Sequence, residues 1–281
     1  MGRKALSLIA AAAFAIAAGA ASADEDAELV VEGQEIVTKL ESPEGNPLPV
    51  ILSGWRFRED ATQALQTDDF ENPSFLEIDA ARELWTKVEG KAGKSCADCH
   101  GDVEETMKGV RAHMPKWNEK AGEVWSLENY VNDCRVNRME ADAWTWEKNP
   151  MIGMTALIGL QSRGMPMEVD VSGPAEEWFE RGKEMYYTRF GQLELACANC
   201  HEDHWGDMIR ADHLSQGQVN GFPTYRLRNT KLVSLHDRFK GCIRDTRGET
   251  FSPGSAEFRA LELYVAWRGQ GLGIETPSVR Q

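Results

Sequence analysis

The five-residue pattern C-x-x-C-H occurs twice, as Cys96-Ala-Asp-Cys99-His100 and as Cys197-Ala-Asn-Cys200-His201, with starts 101 residues apart. Each part has a chemical job. Two thiols three residues apart can add across the vinyl groups of one haem, and the histidine that follows donates a ring nitrogen to the iron. C-x-x-C alone also suits a redox disulfide or half a zinc site. The adjoining histidine and the repetition select haem attachment. The expected cofactors are therefore two covalently bound haem c groups, on Cys96 and Cys99 and on Cys197 and Cys200, with His100 and His201 as proximal ligands. Because a haem replaces much of an apolar core, and strand-like alternation is scarce, the expected fold is mainly α with much loop.

The similarity between the two halves extends past the cysteines. Ala81-Arg-Glu-Leu-Trp85 precedes the first motif and Gly182-Lys-Glu-Met-Tyr186 the second. Both read as amphipathic helices with an aromatic face. Met107-Lys-Gly-Val-Arg-Ala and Met208-Ile-Arg-Ala follow the motifs and read as a repeated helical segment. A lone cysteine comes next, Cys134 lying 34 residues after His100 and Cys242 lying 41 after His201. Each half then closes on an apolar helix ending in Arg-Gly, at Arg163-Gly164 and Arg268-Gly269, glycine being a common helix stop. The expected organisation is two tandem cytochrome c-like domains related by duplication, over 76–170 and 171–281. The Gly-Pro break at 173–174 ends the link between them. Residues 24–75 form an extension with no counterpart in the second half.

The first residues carry Arg3 and Lys4, then an apolar, alanine-rich run, then Ala21-Ser-Ala23 before an acidic stretch. A basic start, a short apolar core and a small-x-small site make a secretory signal over 1–23. Export to the periplasm is expected, with no membrane anchor. Cleavage there removes two positive charges and no negative one, so the net charge moves from −14 to −16. Such a surface repels nucleic acid and anionic membranes and suits partners with a basic patch.

Each iron needs a sixth ligand or an open position. Methionine is the default in electron carriers, and the first half offers Met114, Met139, Met151, Met154, Met165 and Met167. The second half has only Met208 after His201. His113 competes at the first site, and His204, His213 and His236 at the second. Cys134 and Cys242 hold equivalent places in the two halves. One alternative is a single Cys134–Cys242 disulfide, since free thiols in an oxidising compartment usually pair. Equivalent positions argue instead for equivalent roles, and thiolate is an established axial donor.

The two late cysteines have unlike neighbours. Cys134 follows Asn129-Tyr-Val-Asn-Asp133, without cations. Cys242 follows His236-Asp-Arg238-Phe-Lys240-Gly241 and precedes Arg244 and Arg247. Asp237, Asp245 and Glu249 offset these charges, so a solvated mixed-charge surface is one reading. An anion-binding reactive cysteine is the other. On a helix Arg238 shares a face with Cys242, and arginine suits bidentate binding of an oxyanion.

With these motifs in place, the two C-x-x-C-H sites, Cys134-Arg135 and Arg238-Phe-Lys-Gly-Cys242, the chain resembles the SoxA family over nearly all of 24–281. These are dihaem cytochrome subunits of the SoxAX complex of sulfur-oxidising bacteria. The resemblance implies that Cys134 and Cys242 are distal haem ligands. It further implies that Cys242 is the catalytic residue, often carried as a persulfide, and that Arg238 binds thiosulfate. The implied reaction joins thiosulfate to a cysteine of the carrier protein SoxYZ, with electrons leaving through haem to the partner cytochrome SoxX. Some members lack the first haem motif, whereas this chain keeps all its residues. A periplasmic dihaem electron carrier without bond-making chemistry is the alternative. A dihaem peroxidase would usually carry a calcium loop, and no D-x-D-x-D-G run is present.

Overall fold

Apolar spacing in Phe75-Leu-Glu-Ile-Asp-Ala-Ala-Arg-Glu-Leu-Trp-Thr puts Ile78, Ala81 and Trp85 on one buried stripe of a twelve-residue helix, and residues 176–187 form a second helix of the same length. These are the two expected helices ahead of the haem motifs. In the computed structural model residues 28–281 are described, so the reading of 1–23 as a secretory signal lies outside the described residues.

The extension comes first. It holds two short hairpins, β1 (Leu29–Val31) with β2 (Gln34–Ile36) and β3 (Lys39–Glu41) with β4 (Val50–Leu52), followed by helix α1 (Asp60–Thr67). The first half then runs α2 (Phe75–Thr86), α3 (Ala97–His100), α4 (Val103–Thr106), hairpin β5–β6 (Lys116–Asn118 and Glu123–Trp125), α5 (Leu127–Asn137) and α6 (Met151–Leu160). The second half runs α7 (Glu176–Tyr187), α8 (Cys197–His201), hairpin β7–β8 (Met208–Ile209 and Asp212–His213), hairpin β9–β10 (Thr224–Arg226 and Lys231–Val233), α9 (Leu235–Asp245) and α10 (Ala256–Arg268). Strand β11 (Ser278–Arg280) closes the chain by pairing in parallel with β9.

The same order of parts thus occurs twice: helix, motif turn, hairpin, cysteine helix, apolar helix. The spacing matches in detail. Trp85 and Tyr186 are both buried and stand eleven residues before Cys96 and Cys197. Ser126 and Ser234 cap α5 and α9, and Cys134 and Cys242 each follow their cap by eight residues. A side-chain oxygen accepting a free N–H at the first turn fixes where such a helix begins: Ser234 accepts from the Asp237 amide at 3.2 Å, and at α5 Asn129 reaches back to accept from the Ser126 amide at 3.0 Å. Here it fixes the rotation at which each cysteine emerges.

Two expectations need correction. The segments after the motifs are not a repeated helix: Met107 follows the short α4, whereas Met208 lies exposed in strand β7. Gly206 and Arg210 take positive φ, +90° and +59°, which breaks a helix and turns this stretch back on itself as a hairpin. The first apolar helix also ends at Leu160, three residues short of Arg163. Only α10 runs to its Arg-Gly, with Gly269 at the C-cap.

Two apolar cores are present, each drawn mainly from one half but joined by residues of the other, Leu232 in the first and Val124 and Met167 in the second. One gathers Ile78, Trp85, Leu127, Ile152 and Leu157, and the other Tyr186, Leu235, Ile243, Phe258 and Tyr264. In the second, α7 and α10 approach so closely that a β-carbon on Gly182 would lie 2.0 Å from the Ala260 carbonyl oxygen. The extension binds the end of the chain. Buried Glu275 accepts from Ser53, from Gln66 at 3.0 Å, from Asn220 at 3.1 Å and from Arg280 at 2.5 Å. Asn72 donates to the Pro277 carbonyl at 3.0 Å. No helix among the described residues is long and apolar enough to cross a membrane.

Candidate active site

Cys96 caps α3, which carries Cys99, and α8 carries both Cys197 and Cys200, so each C-x-x-C pair lies on a single turn, and no disulfide pairs any of the six cysteines. Each late cysteine sits with its own motif. Cys134 lies within electrostatic range of Cys96 and Cys99, and Cys242 of Cys197 and Cys200. No disulfide joins Cys134 to Cys242. Burial, reinforced by the neighbouring late cysteine, pushes Cys96 up to about 11 and Cys197 up to about 12.

The second site fits a haem. His201 Nδ1 is 2.7 Å from the Ser215 carbonyl oxygen, which leaves Nε2 for the iron, as a ligating imidazole requires. Burial lowers the His201 pKa to about 4, so the ring is in the neutral, ligating form. Gly217 packs directly on the ring, where a β-carbon would come 2.9 Å from His201 Cγ. Gly217 also has a φ of +73°, so only glycine takes this place without strain. Arg268, fully buried, lies 4.3 Å over the Tyr186 ring, and its buried Nε has no partner among the described residues. Its charge reaches Cys197 and His201. At the first site the His100 ring sits 5.9 Å from that of Trp85, whose indole donates to the Gly101 carbonyl at 2.9 Å.

Among the competing axial donors, Met165 is half-buried and Met208 exposed, and His113, His204 and His213 bond through Nδ1, which leaves each Nε2 open. Met114, Met139, Met151, Met154 and Met167 are buried core residues. His113 contacts the Glu168 carbonyl, His204 pairs with Asp207, and His213 contacts the Gly206 carbonyl. His236 is 2 % exposed, stacked on Trp146 and 3.0 Å from Glu262.

The electrostatic contrast between the sites is real, but its basis differs from the expected one. Cys134 does have cations near it, Arg135 and Arg138. Both are occupied: Arg135 pairs with Glu89 at 2.8 Å and stacks 3.8 Å over Trp144, and Arg138 lies 3.9 Å from Asp133. The sequence hid this because Glu89 is 46 residues away from Arg135. Around Cys242, Lys240 is taken by Glu147 at 2.5 Å and Arg244 lies 3.9 Å from Asp245. Arg238 makes no ion pair with any carboxylate among the described residues, and its charge reaches Cys200 and His201. A β-carbon on Gly241 would meet nothing closer than Arg244 Nη2 at 3.9 Å, so the approach beside Cys242 is open.

The sequence of the SoxA/TsdA cytochrome c domain family matches residues 80–167. The L-cysteine S-thiosulfotransferase subunit SoxA of Rhodovulum sulfidophilum is 53 % identical over 269 residues, covering 95 % of this chain and 94 % of the relative. This chain belongs to the SoxA family. The SoxA subunit of Paracoccus pantotrophus is 51 % identical over 97 % of this chain and 96 % of its own. The crystal structure of SoxXA from P. pantotrophus superimposes with a TM-score of 0.88 at 50 % identity, covering 91 % of this chain and 99 % of that one. As a SoxA with a cytochrome c domain, the chain carries covalent haem c. Ser215, Gly217 and Arg268 escaped the sequence reading as site residues.

Proposed function

We propose that this SoxA is a periplasmic dihaem subunit that joins thiosulfate to a cysteine of the SoxYZ carrier, in a heterodimer with the cytochrome SoxX. The observation that carries this is Cys242, in no disulfide, beside its own haem motif, with an arginine four residues away that pairs with no carboxylate among the described residues. The relatives' names, L-cysteine S-thiosulfotransferase subunit SoxA, agree with it.

Two haems fit two complete motifs, and the repeated order of elements supports a duplication with domains over 76–170 and 171–281 behind an extension at 24–75. Cys96, Cys99, His100 and Cys134 would hold one haem, and Cys197, Cys200, His201 and Cys242 the other. A signal over 1–23 accounts for export. When bound, haem c supplies the one-electron acceptors that the chemistry needs.

The chain's own groups do the rest. Arg238 holds the sulfonate oxygens of thiosulfate and aims its terminal sulfur at Cys242. A sulfur–sulfur bond forms between the Cys242 thiolate and that terminal sulfur, releasing two electrons. The carrier thiol then attacks the same sulfur, gives up its proton, and Cys242 leaves as the thiolate, so the carrier keeps the thiosulfate. Cys134, with its arginines already paired, has a structural or electron-tuning role.

The decisive experiment combines electron paramagnetic resonance of the oxidised protein with turnover by Cys242→Ala in the SoxXA-type complex. The expected result is two low-spin thiolate–imidazole signals in the wild type, loss of one in the variant, and a fall in turnover of about tenfold or more. His–Met or bis-His signals, or undiminished turnover, would return the protein to a plain electron carrier.

A further inference from the structure

The repeat pairs positions 118 and 130 of the first half with 226 and 238 of the second. Each pair comprises the last residue of a hairpin's first strand and the fourth residue of the cysteine helix that follows. In the first half these are Asn118 and Tyr130, whose side chains lie near enough to interact. The fold therefore brings these two places into contact range. In the second half both are arginines.

Two guanidiniums in adjoining places repel unless an anion lies between them. None is supplied by the described residues. Arg226 faces Lys231 across β10 and Arg280 across β11, so its lateral neighbours are also basic. Lys231 lies 3.7 Å from Asp237, and Arg280 is engaged by Glu275. The acid nearest in influence, Asp212, is held by Arg58 of the extension. Arg226 is left half-buried, making no ion pair with any of the described carboxylates, within electrostatic range of Arg238 and Cys242.

We infer that Arg226 is a second anion-binding arginine of the Cys242 site, which together with Arg238 clamps a small sulfur oxyanion dianion. Two charges on the ligand meet two guanidiniums, and the β9 backbone fixes the second where a helix residue could not reach. The inference rests on the proposed thiosulfate chemistry and adds a specificity element to it. Monoanions of similar size lack the second charge and should compete poorly.

Arg226→Gln and Arg226→Lys, each as the haem-loaded complex with its partner cytochrome, test this. The measurements are thiosulfate KM and kcat with the carrier, the perturbation of the second haem's paramagnetic spectrum by thiosulfate alone, and that haem's midpoint potential. Expected for Arg226→Gln is a KM raised about tenfold or more, kcat changed far less, and a matching loss of thiosulfate perturbation. Arg226→Lys should recover part of both, and the potential should stay put. A shifted potential with unchanged KM would mean that the arginine serves the haem carboxylates, which overturns the inference. Unchanged KM and potential, while Arg238→Gln raises KM, overturns it too and leaves the thiosulfate chemistry standing. Full turnover in Arg238→Gln and Cys242→Ala as well would remove the chemistry on which both rest.

Discussion

Gly217 supports His201 by having no side chain: a β-carbon there would stand 2.9 Å from the imidazole Cγ and 3.1 Å from Nδ1. The same Nδ1 meets the Ser215 carbonyl at 2.7 Å, so the 215–217 segment packs directly on the ring.

Gly217→Ala should cost about 1–3 kcal/mol through backbone strain and displacement of the ring. Gly93 offers the control, having a φ of +59° but nothing within 4 Å, so Gly93→Ala should cost only about 1 kcal/mol. Thermal melts of the haem-loaded proteins compare them, and pyridine haemochrome counts whether the second haem is retained. Equal melting temperatures would mean that the close approach does not matter.

Arg238→Gln should raise the thiosulfate KM about tenfold with little change in kcat, equivalent to ~1.4 kcal/mol of lost binding. The same change at Arg135, whose charge is already taken by Glu89, should leave KM unaltered. Steady-state kinetics over a range of thiosulfate concentrations reads both.

Glu89 is held below the usual carboxylate range by its hydrogen bonds to Arg135 and Lys87. A depressed folded value means that stability is present above the unfolded pKa, near 4.5, and is lost as pH falls through the folded one. Glu89→Gln should therefore be less stable than wild type at pH 7, by about 1–3 kcal/mol because buried Arg135 loses its partner. That difference should shrink as pH drops below about 4, since protonated Glu89 is no better a partner than glutamine. Denaturant melts at several pH values check it.

Glu128 lines a small internal cavity with Arg111, Leu127 and Glu262. Burial, and then the charge of Glu262, pushes it up to about 7. A raised carboxyl keeps its proton longer in the fold than in the unfolded chain, so the wild type loses stability as pH climbs from about 4.5 to about 7. Glu128→Gln carries no such charge. Its melting temperature relative to wild type should rise by a few degrees between pH 5 and pH 8. A constant difference would show that Glu128 ionises as an ordinary carboxyl.

What the sequence showed, and what it concealed, follows from the range of the forces involved. The haem motifs, the helices over 75–86 and 176–187 and the α9 pairing of Arg238 with Cys242 are all set by residues within a few turns of each other, and they were legible. The fate of Arg135 was not, because its partner Glu89 comes from another loop. Arg226 was missed for the same reason: strand register, not spacing, carries it to Cys242. The stretch after His201 misled because Met208-Ile-Arg-Ala echoes Met107-Lys-Gly-Val-Arg-Ala in letters, while Arg210 takes a positive φ that turns a hairpin there.

The seam between the extension and β11 sets an order of events for this chain. Ser53 and Gln66 are made early, yet the Glu275 they grip is made 222 and 209 residues later. Contacts that span so much sequence form late, because the loop they close is entropically costly. Both cysteine pairs are therefore synthesised before the seam can shut, which gives haem attachment an interval in an unlocked chain. A stop codon or a proteolytic cut just ahead of Glu275 would leave both haem motifs intact in a molecule with no means of closing.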